Sequence, residues 1–161
     1  MNFIHKTAVI YPGVTLEDNV YIGAHCIIGA PAENKKTWGE FGKGVLIKSG
    51  TIINGLVTID EGAERKTVIG EGCFIMKGCH IGHDAIIGNG VTMSPHVLIG
   101  GHSEVAFHTN MGMGSIVHQR CYVPSGCMIG MNSTVTKKSE LKDDGVYVGS
   151  PVRFLRWNKR S

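Results

Sequence analysis

The sequence is poor in charge and has no long apolar run. Only 18% of its 161 residues are charged, and 16 Lys and Arg against 13 Asp and Glu leave a net charge of +3. Such a weak excess of positive charge argues against a nucleic-acid partner. No apolar run approaches the ~20 residues that span a bilayer, and the first residues do not form a secretory leader. We therefore expect a single-domain cytoplasmic protein without membrane insertion.

Glycine is abundant, at 23 residues against five prolines, and it is spread evenly along the chain. Its spacing reflects a six-residue repeat of one large aliphatic residue, with a small or β-branched residue four places later. The longest unbroken series of large residues is Ile69, Ile75, Ile81, Ile87, Met93, Ile99, Val105, Met111, Val117, Val123, Ile129 and Val135. The same repeat runs through residues 4–28 and 47–59.

A period of six fits neither the 3.6-residue period of a helix nor a long strand, but it fits a short strand followed by a corner. Three such sides give a parallel β-helix of 18 residues per coil, with neighbouring coils ~4.8 Å apart. Glycine often stands directly after the large residue, and Gly, Asp or Asn often stands at the third place after it. Both positions are predicted to take the left-handed corner conformation. The predicted fold is all-β, a hexapeptide-repeat solenoid, whose hand does not follow from the repeat.

Two segments interrupt the repeat, and a third ends it. Residues 30–44 are predicted to form a projecting loop, and an excursion near residues 64–66 adds four residues to one coil. After Val135 the pattern fades, so we divide the chain into a β-helix over residues 1–145 and a capping tail over 146–161. Departures from a repeat usually carry binding residues.

The cysteines and histidines lead to opposite interpretations. All five cysteines fall in the small interior slot, which predicts packing rather than disulfides or a metal site. Six of the eight histidines lie between residues 80 and 118. With 18 residues per coil, one corner gathers His80, His83, Asp84, Gly101, His102, His118 and Gln119.

Two other interpretations of this corner stay open. The residues could be exposed corner positions with no shared role, as in a non-catalytic scaffold. They could also hold zinc, as in the hexapeptide-repeat carbonic anhydrases, which are hydratases. No two histidines are separated by 18 or 36 residues, however, so none stack directly.

The segments His80–Asn89, Gly100–His102 and Val117–Gln119 resemble the UDP-N-acetylglucosamine O-acyltransferases that begin lipid A synthesis, within the hexapeptide-repeat acyltransferases. The loop from Ile28 to Lys36 is similar to theirs as well. The resemblance covers roughly residues 20–135. It implies a left-handed coil and a homotrimer with sites between subunits, with no metal and no tightly bound cofactor.

The resemblance also implies residue roles. His83 would be the general base, Asp84 would hold or polarise it, and the Gly101 N–H would donate to the oxyanion. Lys36 would pair with a phosphate of the acceptor, or is a solvated loop charge. The residues implied to contact acceptor or donor are His80, His102, His118 and Gln119.

The end of the chain resembles a different group. Gly149-Ser150-Pro151 is similar to the closing segment of acetyl-CoA-dependent sugar acetyltransferases, whereas the lipid A enzymes continue into a helical domain that helps bind acyl carrier protein. We therefore expect transfer of an acyl group from a thioester to a sugar, one that is nucleotide-linked. The expected co-substrate is acetyl-CoA, with acyl carrier protein as the alternative donor.

Overall fold

The computed structural model describes residues 1–159, which form short strands joined by turns. The strands in chain order are β1 (Phe3–Ile4), β2 (Val9–Ile10), β3 (Val14–Leu16), β4 (Tyr21–Ile22), β5 (Ile27–Ala30), β6 (Val45–Ile47), β7 (Ile52–Ile53), β8 (Thr58–Asp60), β9 (Thr67–Ile69), β10 (Phe74–Ile75), β11 (His80–Ile81), β12 (Ile86–Ile87), β13 (Thr92–Met93), β14 (Leu98–Ile99), β15 (Glu104–Val105), β16 (Asn110–Met111), β17 (Ile116–Val117), β18 (Tyr122–Val123), β19 (Met128–Ile129), β20 (Thr134–Val135), β21 (Gly145–Val148) and β22 (Arg153–Trp157). No helix in this part of the chain is long and apolar enough to cross a membrane.

Every third strand belongs to the same sheet, so the chain winds around three flat faces. Sheet 1 contains β1, β4, β7, β10, β13, β16, β19, β21 and β22; sheet 2 contains β2, β5, β8, β11, β14, β17 and β20; sheet 3 contains β3, β6, β9, β12, β15 and β18. From β10 to β20 each residue pairs in parallel with the residue 18 places later, as Phe74 does with Thr92. The predicted left-handed parallel β-helix is confirmed.

The two interruptions shift the pairing as their lengths require. Tyr21 pairs with Ile52, 31 residues later, because the loop at 30–44 lies between them. Thr58 pairs with His80, 22 residues later, which is four more than one coil. Both insertions therefore leave the stacking of the coils intact and project from it.

The core is the inside of the coils. All twelve residues of the large aliphatic series from Ile69 to Val135 are at most 1% exposed. The five cysteines are buried in the small slot, in agreement with the packing prediction. Ile4 belongs to the same interior file but is 43% exposed, because in residues 1–159 no coil covers the first one.

The two glycine positions have different causes, so the prediction that both take the corner conformation is wrong for one of them. The third place is left-handed, as at Gly78 with φ 71° and Asp84 with φ 61°. Gly82, directly after the large residue, is not among the positive-φ residues. A Cβ there would lie 2.8 Å from Gly101 N in the next coil, so close approach of the coils excludes a side chain.

The loop and the tail are both tied to the solenoid. The buried Glu61 carboxylate accepts hydrogen bonds from the Gly42 and Gly44 N–H groups at 2.8 and 3.2 Å, which anchors the end of the loop. Strand β21 pairs in parallel with β19, and β22 folds back antiparallel on β21. The division at residue 145 stays a prediction, and residues 160–161 of the predicted tail lie outside the described residues.

Candidate active site

His83 and Asp84 lie at the corner between β11 and β12, and Gly101 and His102 lie at the same corner one coil later. Two main-chain hydrogen bonds stack these coils. The His102 N–H donates to the His83 carbonyl oxygen, and the Arg120 N–H donates to the Gly101 carbonyl oxygen, each at 2.9 Å. The constant coil length therefore brings together residues that lie 18 or more places apart in the sequence.

Asp84 is fully buried and serves as a hydrogen-bond acceptor for the four-residue excursion. Its Oδ1 accepts from the N–H groups of Glu64 and Arg65 at 2.8 and 2.7 Å, and its Oδ2 accepts from the Ala63 N–H at 3.1 Å. Burial by itself would raise the pKa of Asp84, but these bonds and the one from His83 outweigh it and lower the pKa to about 2. Asp84 is consequently ionised at neutral pH.

His83 is oriented by Asp84. Its Nδ1 lies 2.6 Å from Asp84 Oδ2, and its side chain is 18% exposed. An ionised carboxylate only accepts hydrogen bonds, so the His83 proton sits on Nδ1 and the lone pair on Nε2. A Cβ built on Gly101 would lie 2.9 Å from His83 Nε2, so glycine leaves this nitrogen its space.

The Gly101 N–H has no hydrogen-bond acceptor among residues 1–159. At equivalent corners this group is capped by a side chain: the Glu71 N–H donates to Asn89 Oδ1 at 3.0 Å, and the Ser125 N–H donates to Asp143 Oδ1 at 2.9 Å. The corner at Gly101 thus combines an open main-chain donor with an open imidazole nitrogen.

Two more of the predicted residues adjoin this corner. The His102 ring meets the His83 ring edge-on with centroids 5.0 Å apart, and His102 Nε2 lies 3.6 Å from Asp84 Oδ2. On the outer face of sheet 2, His80 Nδ1 lies 2.8 Å from Thr58 Oγ1. These contacts hold both rings in place beside His83.

The other predicted residues are not joined to the corner within one chain. The His118 Nδ1 donates to the Gln119 carbonyl oxygen at 3.0 Å, and both side chains are exposed. Lys36 is exposed in the loop, where its N–H donates to Asn34 Oδ1. In the described part of the chain, no hydrogen bond or ion pair links the Lys36 side chain to His83.

Asp60 is a residue of this region that the sequence reasoning missed. It is 6% exposed, its Oδ2 has no hydrogen-bond partner within residues 1–159, and that oxygen lies 3.8 Å from His80 Nε2. Burial raises the pKa of Asp60 to about 6, with His80 and His83 opposing the shift and Glu33 adding to it. The four-residue excursion was the available signal, because it puts Asp60 one coil below Gly82.

A cleft beside the corner was also missed. Its volume is about 450 Å³, and it runs along the outer face of sheet 3 from His102 to Tyr122. Arg65 crosses it, donating from Nε to the Asp84 carbonyl oxygen and pairing through Nη1 with Glu104 Oε1 at 3.0 Å. Arg65 belongs to the non-repeating excursion, so periodicity could not locate it.

His83, Asp84 and His102 form a group whose ligand atoms lie within 4.8 Å of one another, which is close enough to consider a metal. The Asp84 carboxylate, however, already accepts four hydrogen bonds, two at each oxygen. A carboxylate offers about four lone-pair positions, so a metal would have to displace one of these donors. The donor set therefore suits hydrogen bonding better than metal ligation.

Comparisons with known proteins agree with the repeat. The family model described as bacterial transferase hexapeptide (six repeats) matches residues 1–32 and 66–101. The chain belongs to the hexapeptide-repeat family.

Several hexapeptide-repeat relatives share one name. The acyl-[acyl-carrier-protein]–UDP-N-acetylglucosamine O-acyltransferase of Campylobacter concisus is 28% identical over 150 residues, covering 84% of this chain and 57% of the relative. The enzyme of that name from Thermodesulfovibrio yellowstonii is 32% identical over 144 residues, covering 65% of this chain and 55% of the relative. The chain spans about half the length of these curated relatives.

Solved structures of the family share the fold. UDP-N-acetylglucosamine acyltransferase from Campylobacter jejuni matches with a TM-score of 0.79 at 22% identity, covering 96% of this chain and 74% of that one. UDP-N-acetylglucosamine O-acyltransferase (LpxA) from Moraxella catarrhalis matches with a TM-score of 0.78 at 23% identity, covering 97% and 75%. At such identities the likeness establishes the fold alone.

Proposed function

We propose that this chain is an acyltransferase that moves an acyl group from a thioester to a hydroxyl of a nucleotide sugar, with UDP-N-acetylglucosamine as the acceptor. The observation that carries the proposal is the His83 side chain, whose Nδ1 is held by ionised Asp84 and whose Nε2 faces the bare backbone of Gly101. The names of the relatives support the substrate class.

The reaction needs a base and an oxyanion donor, and this corner offers both. His83 Nε2 takes the proton of the acceptor hydroxyl while its oxygen attacks the thioester carbonyl carbon. The Gly101 N–H donates a hydrogen bond to the carbonyl oxygen as it becomes negative. The carbon–sulfur bond then breaks, and the thiolate takes the proton from His83, leaving an ester and a free thiol. Asp84 stabilises the imidazolium between these steps.

The remaining sequence-predicted residues are proposed to bind the substrates. His102 and His80 flank His83 and contact the acceptor, and His118 and Gln119 lie on the next coil toward the donor. Lys36 pairs with a phosphate of the acceptor. Because Lys36 is exposed and not joined to its own corner, we assign it to the corner of a neighbouring subunit.

A homotrimer is part of the proposal. On the outer face of sheet 2, the file that begins at His80 continues through Leu98 and Ile116, which are 41% and 39% exposed. An apolar file beside the site suits burial against another subunit, since association removes apolar surface from water. Each site would then lie between two chains.

The proposed donor is an acyl group on acyl carrier protein, because the relatives with the same repeat carry this donor in their names. Acetyl-CoA, which the tail resemblance favours, is the competing donor. Release of free thiol, followed with acyl carrier protein thioesters and with acetyl-CoA, separates the two.

The test of the function is replacement of the base. His83→Ala should lower the transfer rate to UDP-N-acetylglucosamine about 10²- to 10⁴-fold, the contribution of general acid–base catalysis. The matched control is His108→Ala, an exposed corner histidine between sheets 3 and 1, which should keep the wild-type rate. Light scattering should give the mass of a trimer for all three proteins. Near-wild-type transfer by His83→Ala would disprove the assignment.

A further inference from the structure

Asp60 and Glu61 are neighbouring buried acids at the base of the loop, yet only one of them has a structural task. The Glu61 N–H donates to the Ala30 carbonyl oxygen at 2.9 Å, and the Glu61 carboxylate binds the N–H groups of Gly42 and Gly44. Glu61 thereby anchors both ends of the loop. Asp60 is equally covered, but its Oδ2 has no hydrogen-bond partner among residues 1–159.

A buried carboxylate oxygen without a donor is costly, so its retention calls for an explanation. The nearest polar atom recorded for Asp60 Oδ2 is His80 Nε2 at 3.8 Å, which is too far for a hydrogen bond. The His80 ring cannot readily move closer, because its Nδ1 is already bonded to Thr58 Oγ1 at 2.8 Å. A gap thus remains between Asp60 and His80 that a donor from outside the chain can fill.

The position of this gap indicates what fills it. Asp60 lies at the carboxyl end of β8, where the loop departs from β5, and both His80 and His83 are close enough to act on its charge. A ligand in the gap therefore lies beside the His83 imidazole. The two histidines disfavour a cation there, so a neutral donor such as a sugar hydroxyl suits the gap better.

We propose that Asp60 is a specificity-determining residue that accepts a hydrogen bond from a hydroxyl of the acceptor sugar other than the hydroxyl that is acylated. This inference rests on the proposed function and adds to it the recognition of the sugar. Sites that bind a substrate hydroxyl through a buried polar group reject analogues that lack it, because the group is then left unpaired.

The experiment measures kcat and KM with UDP-N-acetylglucosamine and with its 4-deoxy and 6-deoxy analogues. Asp60→Ala should lower kcat/KM for the full acceptor about 10- to 100-fold, mainly through KM. With one analogue the loss should vanish, and wild-type protein should use that analogue about as poorly as Asp60→Ala uses the full acceptor. Asp60→Asn keeps one accepting oxygen and should lie between the two.

The controls separate recognition from folding. Asp18→Asn, at an exposed corner, should match wild type with all three acceptors. Thermal unfolding should show that neither Asp60 variant is less stable than wild type, because the substitutions remove a buried unpaired charge.

Three results would overturn the inference. One is wild-type kinetics of Asp60→Ala in an active enzyme, and another is an equal loss with every acceptor; both would leave the proposed function standing. The third is a wild-type protein that neither transfers an acyl group to UDP-N-acetylglucosamine nor binds it by calorimetry, which would overturn the proposed function as well.

Discussion

Replacing Asp84 with Asn should damage both the reaction and the fold, by separable amounts. The amide keeps one oxygen, which can still accept from Glu64 and Arg65, but it puts an NH₂ group where Oδ2 now accepts from Ala63 and His83. The NH₂ must donate to His83 Nδ1, which moves the ring proton to Nε2. His83 can then no longer take a proton from the acceptor, and we expect the transfer rate to fall about 10²- to 10⁴-fold.

The loss of stability follows from the pKa of Asp84, which the fold lowers from 3.8 to about 2. A pKa unit corresponds to about 1.4 kcal/mol, so ionised Asp84 contributes about 2 kcal/mol at neutral pH. Because the folded-state pKa lies below the unfolded one, this contribution is complete above pH 3.8 and is lost as the pH falls toward 2. At pH 3 about half of it should remain.

The assay is urea unfolding of wild type and Asp84→Asn at pH 7 and pH 3, at one protein concentration, together with initial rates at pH 7. The gap in unfolding free energy should shrink at the lower pH. Asp60→Asn is the matched control, since the pKa of Asp60 is raised to about 6. Its folded-state pKa lies above the unfolded one, so ionisation weakens the fold as the pH rises through about 6, and the amide should be at least as stable at pH 7. A pH-independent gap for Asp84→Asn, or wild-type activity, would refute the reasoning.

Two further predictions concern the same corner. Gly101→Ala puts a Cβ 2.9 Å from His83 Nε2, so the ring must shift and the rate should fall about 10²-fold, while light scattering still gives the wild-type mass; an active Gly101→Ala enzyme would contradict the placement of His83. Dialysis against a chelator should leave the transfer rate unchanged, because hydrogen bonds occupy the Asp84 carboxylate. Stoichiometric zinc by elemental analysis, with loss of activity on its removal, would instead support the hydratase alternative.

The sequence predicted the coil and much of the site for one reason: every coil has the same length. Once 18 residues make a turn, a residue and its partner 18 places later must stack, so Gly101 had to lie over His83. The same reasoning brought Asp84 and His102 to neighbouring positions. For glycine it went too far, because Gly82 is small to let two coils approach and not to turn a corner.

Periodicity says nothing about segments that lack it. The excursion at residues 63–65 directs three N–H groups at Asp84, and this makes an ordinary corner aspartate a strongly ionised partner for His83. In the sequence, Asp60 and Glu61 are simply two adjacent acids. Only the path of the loop gives one of them its donors and leaves the other without.

The amino-acid sequence by itself therefore determined the architecture and the membership of the corner, since both depend only on spacing along the chain. The tertiary structure alone decided the chemical state of each group at that corner. Hydrogen bonding and desolvation set that state, and both depend on how the two non-repeating segments fold over the coils.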